Sequence, residues 1–148
     1  MPVVDRVDLD RFMGTWNVIS SVPSMFDRKP HNTTVSFARA ERGLTIEYKF
    51  NSGSYNGDEK TIKAKVMVDN PGINSDWQIT YPWPFARDLR IIYLETDYSV
   101  AVLGHPNLKD AWVIARSTTI DPPLFSDIIL YLQSLGYDVG KMRLVPHG

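Results

Sequence analysis

The chain has 148 residues, 43% of them hydrophobic, 22% charged and 11% aromatic, the size and make-up of one globular domain over residues 1–148. Sixteen basic against seventeen acidic side chains leave a net charge of −1, which argues against a phosphate-binding face and so against nucleic acid as a partner. The absence of cysteine excludes disulfides, thiolate catalysis and Cys-ligated zinc, and no apolar run approaches the roughly 20 residues of a membrane helix.

The opening stretch Met1–Asp5 lacks the basic and apolar regions of a signal peptide. Two expectations stay open: an intracellular protein, or one whose leader has been removed. Asp8 and Asp10 then precede the first alternating segment and are expected to cap a short turn. From there, stretches rich in β-branched and aromatic residues follow one another: Thr15–Val22, Thr33–Arg39, Leu44–Phe50, Lys60–Val68, Asp76–Tyr81, Asp88–Glu95, Tyr98–Leu103 and Ala111–Ser117. In Leu44–Phe50 apolar and polar residues alternate without exception. Between the segments lie turn residues such as Glu41-Arg42-Gly43, Asn56-Gly57, Asn70-Pro71-Gly72 and Gly104-His105-Pro106. The longest gap, Pro23–Asn32, carries Met25 and Phe26 and reads as a flap at the mouth of the fold.

The period changes after Asp121-Pro122-Pro123, where Leu124, Ile128, Tyr131, Leu132 and Leu135 fall at helical spacing. Asp121 suits the N-cap, Pro122 the first helical position and Gly136 the residue just past the end. A short tail strand is expected near Met142–Val145. The fold class is therefore all-β: an eight-stranded antiparallel up-and-down barrel with one C-terminal helix packed outside. Such a barrel leaves room for one small ligand. A two-sheet sandwich is the alternative, disfavoured by the short consecutive connections.

Three sequence motifs resemble those of the lipocalin family. Gly14-Thr15-Trp16, preceded by Val7-Asp8-Leu9-Asp10-Arg11-Phe12, is similar to the signature that opens lipocalins. Thr96-Asp97-Tyr98 resembles the second motif, and Trp112-Val113-Ile114-Ala115-Arg116-Ser117 the third. The likeness spans essentially the whole chain and is nearest the bacterial branch related to apolipoprotein D. It implies that Trp16 lies across a closed end of the barrel with Arg116 packed on its ring, a structural pair joined by a cation–π contact. Two departures stand out. Asn17 follows Trp16 where relatives usually carry Tyr, which is expected to alter packing on the outer surface. Relatives in the cell envelope often begin with a lipoprotein leader and an anchoring Cys, and neither stands in these residues.

With Trp16 and Arg116 set inside, period-two alternation gives the remaining inward positions. They are Val18, Ser20, Val35, Phe37, Ile46, Tyr48, Ala64, Val66, Trp77, Ile79, Tyr81, Leu89, Ile91, Tyr93, Ala101, Leu103, Trp112 and Ile114. Val100 and Val102 are left to be covered by the helix. The lining is large, aromatic and sparsely polar, with Ser20, Tyr48, Tyr81 and Tyr93 as its hydrogen-bonding groups. It suits an apolar chain with a small polar head.

Catalytic and metal-binding patterns are missing. His31, His105 and His147 read as solvated loop, turn and tail residues, and none has metal-ligand spacing. Ser20 lacks the surroundings of a nucleophile, and the Asn32-Thr33-Thr34 sequon is short enough to arise by chance. The leading expectation is a carrier, not an enzyme and without a cofactor, for a small hydrophobic ligand such as a fatty acid or lysophospholipid. The alternatives are an enzyme converting a lipid or pigment inside the barrel, with Tyr48 and Tyr93 as its candidate residues, or an interaction module with a filled core and a rim at Phe26 and Trp83. By resemblance the expected location is the cell envelope if a leader was removed, otherwise the cytoplasm. Peripheral membrane contact and a homodimer through a face or the mouth both stay open.

Overall fold

The N-terminal segment is fixed by Asp8, whose carboxylate accepts the backbone N–H groups of Asp10 at 3.1 Å and Arg11 at 3.4 Å. It thereby caps the single-turn helix α1 (Leu9–Phe12). Nine strands follow: β1 (Gly14–Ser21), β2 (Pro30–Ala40), β3 (Gly43–Ser52), β4 (Glu59–Val68), β5 (Asp76–Tyr81), β6 (Asp88–Leu94), β7 (Val100–Gly104), β8 (Ala111–Ala115) and the short tail strand β9 (Arg143–Leu144). Helix α2 (Pro122–Ser134) and a 3₁₀ turn (Val139–Lys141) lie between β8 and β9. The computed structural model describes residues 7–21, 30–40, 43–52, 56–68, 76–81, 88–104, 108, 111–145 and 147. Met25, Phe26, Trp83, Phe85 and His105 lie outside the described residues, as do the side chains of His31, Ile79 and Tyr81.

The strands form one curled antiparallel sheet in the order β2-β3-β4-β5-β6-β7-β8-β1-β9. The first half of β1 also pairs with β2, from Gly14↔Phe37 to Asn17↔Thr34, while Asn17 to Ser21 pair with β8. Side chains divide between two apolar layers, as alternation demands. The inner layer includes Trp16, Val18, Val35, Phe37, Ile46, Tyr48, Trp77, Leu89, Ile91 and Ile114. The outer layer places Ile92, Val100, Val102, Val113 and Ala115 against α2, which buries Ile128 and Leu132.

Asp121 precedes α2 as its N-cap, though its side chain makes no capping bond. The helix ends where Gly136 takes φ +102. There the Tyr137 N–H donates to Leu132 O at 3.1 Å and the Gly136 N–H to Gln133 O at 3.0 Å, a Schellman ending that a glycine permits. Tyr137 then lies so close to β7 that a Cβ on Gly104 would stand 2.4 Å from its Oη. The absence of a side chain there lets the segment after the helix rest on the sheet.

Two irregularities overturn two expected facings. In β1 the register with β8 shifts between Val18 and Ser20, so Val18 opposes Ile114 but Ser20 opposes Val113. The extra residue, Ile19, turns Ser20 to the outer side, where its hydroxyl donates to Arg143 O of β9 at 3.0 Å. In β6 the register with β7 shifts between Ile91 and Tyr93. Ile92 is the extra residue, so Tyr93 packs against the outer layer with its ring 6.4 Å from that of Tyr131 on α2. Leu94 takes the inward phase instead. Each bulge inserts one residue and inverts the alternation beyond it.

Candidate functional site

One end of the inner face is stoppered by aromatic rings. Phe12 lies 4.9 Å from Trp16, 5.2 Å from Phe37 and 5.7 Å from Trp77, ring centre to ring centre. Trp16 is fully buried and its indole N–H donates to Phe12 O at 2.9 Å. The Arg116 guanidinium sits 3.9 Å above the Trp16 ring and donates to three carbonyls: Thr15 at 3.0 Å, Arg11 at 2.9 Å and Met13 at 2.8 Å. Burial pulls the Arg116 pKa below the ordinary guanidinium value, an effect these acceptors and the ring oppose. The Thr96-Asp97-Tyr98 turn braces the same end. Tyr98 takes φ 58, its Oη accepts the Asp8 N–H at 2.8 Å, and Arg11 lies 4.1 Å over its ring. Asn17, beside Trp16, turns to the outer side and donates to Arg116 O at 3.0 Å.

Above this stopper the inner face carries an apolar recess bordered by Val18, Val35, Phe37, Ile46, Tyr48, Leu89, Leu103, Trp112 and Ile114. It is narrow, with free room for the centre of about one water molecule. These nine were all expected inside. Ala64, Val66, Ile91 and Ala101 are buried on the same face without bordering the recess. Trp77 belongs to the stopper, 5.5 Å from Phe37.

The polar inventory differs from the expected one. Ser20 and Tyr93 face outward, and Tyr93 donates to Glu95 Oε1. Burial, and then the Glu95 carboxylate, push the Tyr93 phenol up to about 12. Two further buried hydroxyl residues stand outside the expected lining: Ser21, which the bulge at Ile19 brings opposite Trp112, and Thr33, which shares the phase of Val35 and Phe37. Thr33 follows Asn32, whose φ of 53 marks the irregularity between His31 and Thr34. An Asn before a β-branched run is the available signal, because Asn tolerates the left-handed region. Phe12 went unassigned as well, although it sits inside the quoted opening motif. His147 departs from the solvated tail residue that its sequence position implies: its Nε2 lies 2.8 Å from Val18 O, which pins the tail to β1. Among the described residues, no three His, Asp or Glu side chains gather as metal ligands would.

Residues 7–147 match the family model described as the lipocalin-like domain. The chain is 24% identical to temperature-induced lipocalin-1 of Arabidopsis thaliana over 168 aligned positions, covering 99% of this chain and 82% of that protein. It is also 24% identical to the outer membrane lipoprotein Blc of Escherichia coli K12, over 94% of this chain and 78% of that one. Among solved structures, insecticyanin of the tobacco hornworm Manduca sexta superposes with a TM-score of 0.75 at 16% identity, covering 100% of this chain and 85% of that one. A cockroach allergen, Per a 4, superposes with a TM-score of 0.71 at 12% identity, covering 100% of this chain and 93% of the other.

Proposed function

The chain belongs to the lipocalin-like family, and from that premise we propose that it carries a single-chain lipid, a fatty acid or lysophospholipid, inside a closed barrel. Binding of small hydrophobic molecules is what this family supports in general. The pairing of β1 with both β2 and β8 supports closure of the sheet into a ring. The observation that carries the reading is the recess itself, nine apolar and aromatic side chains above a stopper of Phe12, Trp16 and Arg116. Transfer of an alkyl chain into such surroundings gains roughly 0.8 kcal/mol per methylene before association costs. Because the recess is narrow, entry of a chain requires its lining side chains to part.

That narrowness also favours a second reading, an interaction module with a filled core. Native mass spectrometry of the purified protein, followed by organic extraction, separates the two. A stoichiometric lipid of defined chain length supports the carrier. An empty protein that also ignores a panel of fatty acids and lysophospholipids supports the module. We read the protein as a binder rather than an enzyme; turnover of extracted lipid on incubation would reverse that reading. Likeness to an outer membrane lipoprotein supports a place in the cell envelope, testable by fractionation. Sedimentation at several concentrations tests for a homodimer.

A further inference from the structure

Thr33 is fully buried, and among the described residues its Oγ1 has no hydrogen-bond partner. Native proteins rarely bury a hydroxyl this way, because it leaves water without recovering a bond, and valine would fill the same shape. Its position explains what it could meet. Thr34 opposes Lys49 on the outer face, and Thr33 shares the phase of the inward Val35 and Phe37, so it falls to the inside. It stands two residues, about 7 Å, along the strand from Val35. Val35 and its cross-strand neighbour Tyr48 both border the recess. Phe37, two residues further on, touches Phe12 in the stopper, so Thr33 lies on the side of the recess away from the closed end.

We propose that the Thr33 hydroxyl anchors an uncharged oxygen at the head of the bound chain, a hydroxyl or an ester or amide carbonyl, while the chain runs toward Trp16. The inference rests on the carrier reading and narrows it. Among the described residues no cationic side chain borders the recess, and a carboxylate placed against these nine side chains would be buried without a counter-charge. A neutral oxygen beside an apolar chain needs one hydrogen bond, and Thr33 has one to give.

The test titrates decanol, decane and decanoate into the full chain, read through tryptophan fluorescence since Trp112 lines the recess. The wild type is compared with Thr33→Val and Thr33→Ser. Thr33→Val is expected to weaken decanol binding by about two- to tenfold, the worth of one neutral hydrogen bond, and to leave decane unchanged. Thr33→Ser, which keeps the hydroxyl, restores the preference for decanol over decane. The melting temperature of Thr33→Val without ligand stays equal or rises. Equal effects on decanol and decane overturn the proposal, as does a fall in melting temperature, which would mean that the hydroxyl holds the fold. Decanoate binding more tightly than decanol and ignoring the substitution also overturns it. Failure of all three probes to bind the wild type removes the carrier reading and the anchor together, an outcome distinct from the others.

Discussion

The stopper and the recess lie on the same inner face and are held in different ways. At the stopper, polar groups are matched: the Trp16 N–H has Phe12 O, Arg116 has three carbonyls, and the Asp8 N–H has Tyr98 Oη. Four rings close over one another with centres 4.9 to 5.7 Å apart. In the recess the contacts are apolar and leave free space, and two residues along β2 from its Val35 stands a buried hydroxyl with no partner among the described residues. A region whose interactions are complete gives stability and has nothing left to offer a ligand. The neighbouring region is where a ligand can still add contacts.

The largest break is expected from Trp16→Ala, which removes a fully buried indole and should cost about 3–5 kcal/mol in urea unfolding. A loss below about 1 kcal/mol would show that the stopper is not the anchor of the fold. Arg116→Lys keeps the charge but loses the planar fork over the ring. We expect a loss of about 1–3 kcal/mol in the same assay, with ligand affinity unchanged because Arg116 does not border the recess. Val35→Phe reverses the balance. It fills the recess at a cost of about 1–2 kcal/mol in stability and should weaken lipid binding by about tenfold or more in a fluorescence titration.

The smallest effect concerns Tyr93, now on the outer side. Its phenol is pushed up to about 12 in the folded protein, against an ordinary value near 10. Its contribution to stability is therefore complete below about pH 10 and is lost as pH rises toward about 12, because the unfolded chain gives up the proton first. Thermal melts between these values should show the decline, and Tyr93→Phe should flatten it while leaving lipid affinity untouched.

Much of this arrangement is legible in the sequence. Strict alternation in Leu44–Phe50 gives Leu44, Ile46, Tyr48 and Phe50 an inward face, and all four are buried. The same rule assigns Ala101 and Leu103 to one face and Val100 and Val102 to the other, as the structure has them. It fails at Ser20 and Tyr93, since Ile19 and Ile92 are ordinary strand residues and nothing in their chemistry announces that they are supernumerary. Thr33 shares the phase of Val35 and Phe37, so alternation reaches it; what a pattern cannot show is that its hydroxyl is left without a partner among the described residues. The volume of the recess is beyond alternation altogether. A pattern names the faces, whereas the space between them depends on how far each ring leans, as Trp77 does in joining the stopper.

The stitching of the tail to β1 has a consequence for biosynthesis. Ser20 bonds to Arg143 across 123 positions of sequence, and His147 reaches Val18 across 129. The upper half of β1 therefore waits for β8 and β9 before its backbone is paired. While the chain is still emerging from the ribosome, that strand is an open edge able to pair with another copy. Completion waits for residues 143–147, so a chain not yet extended that far keeps this strand open to self-association, and a holdase that shields its first strand would raise the yield.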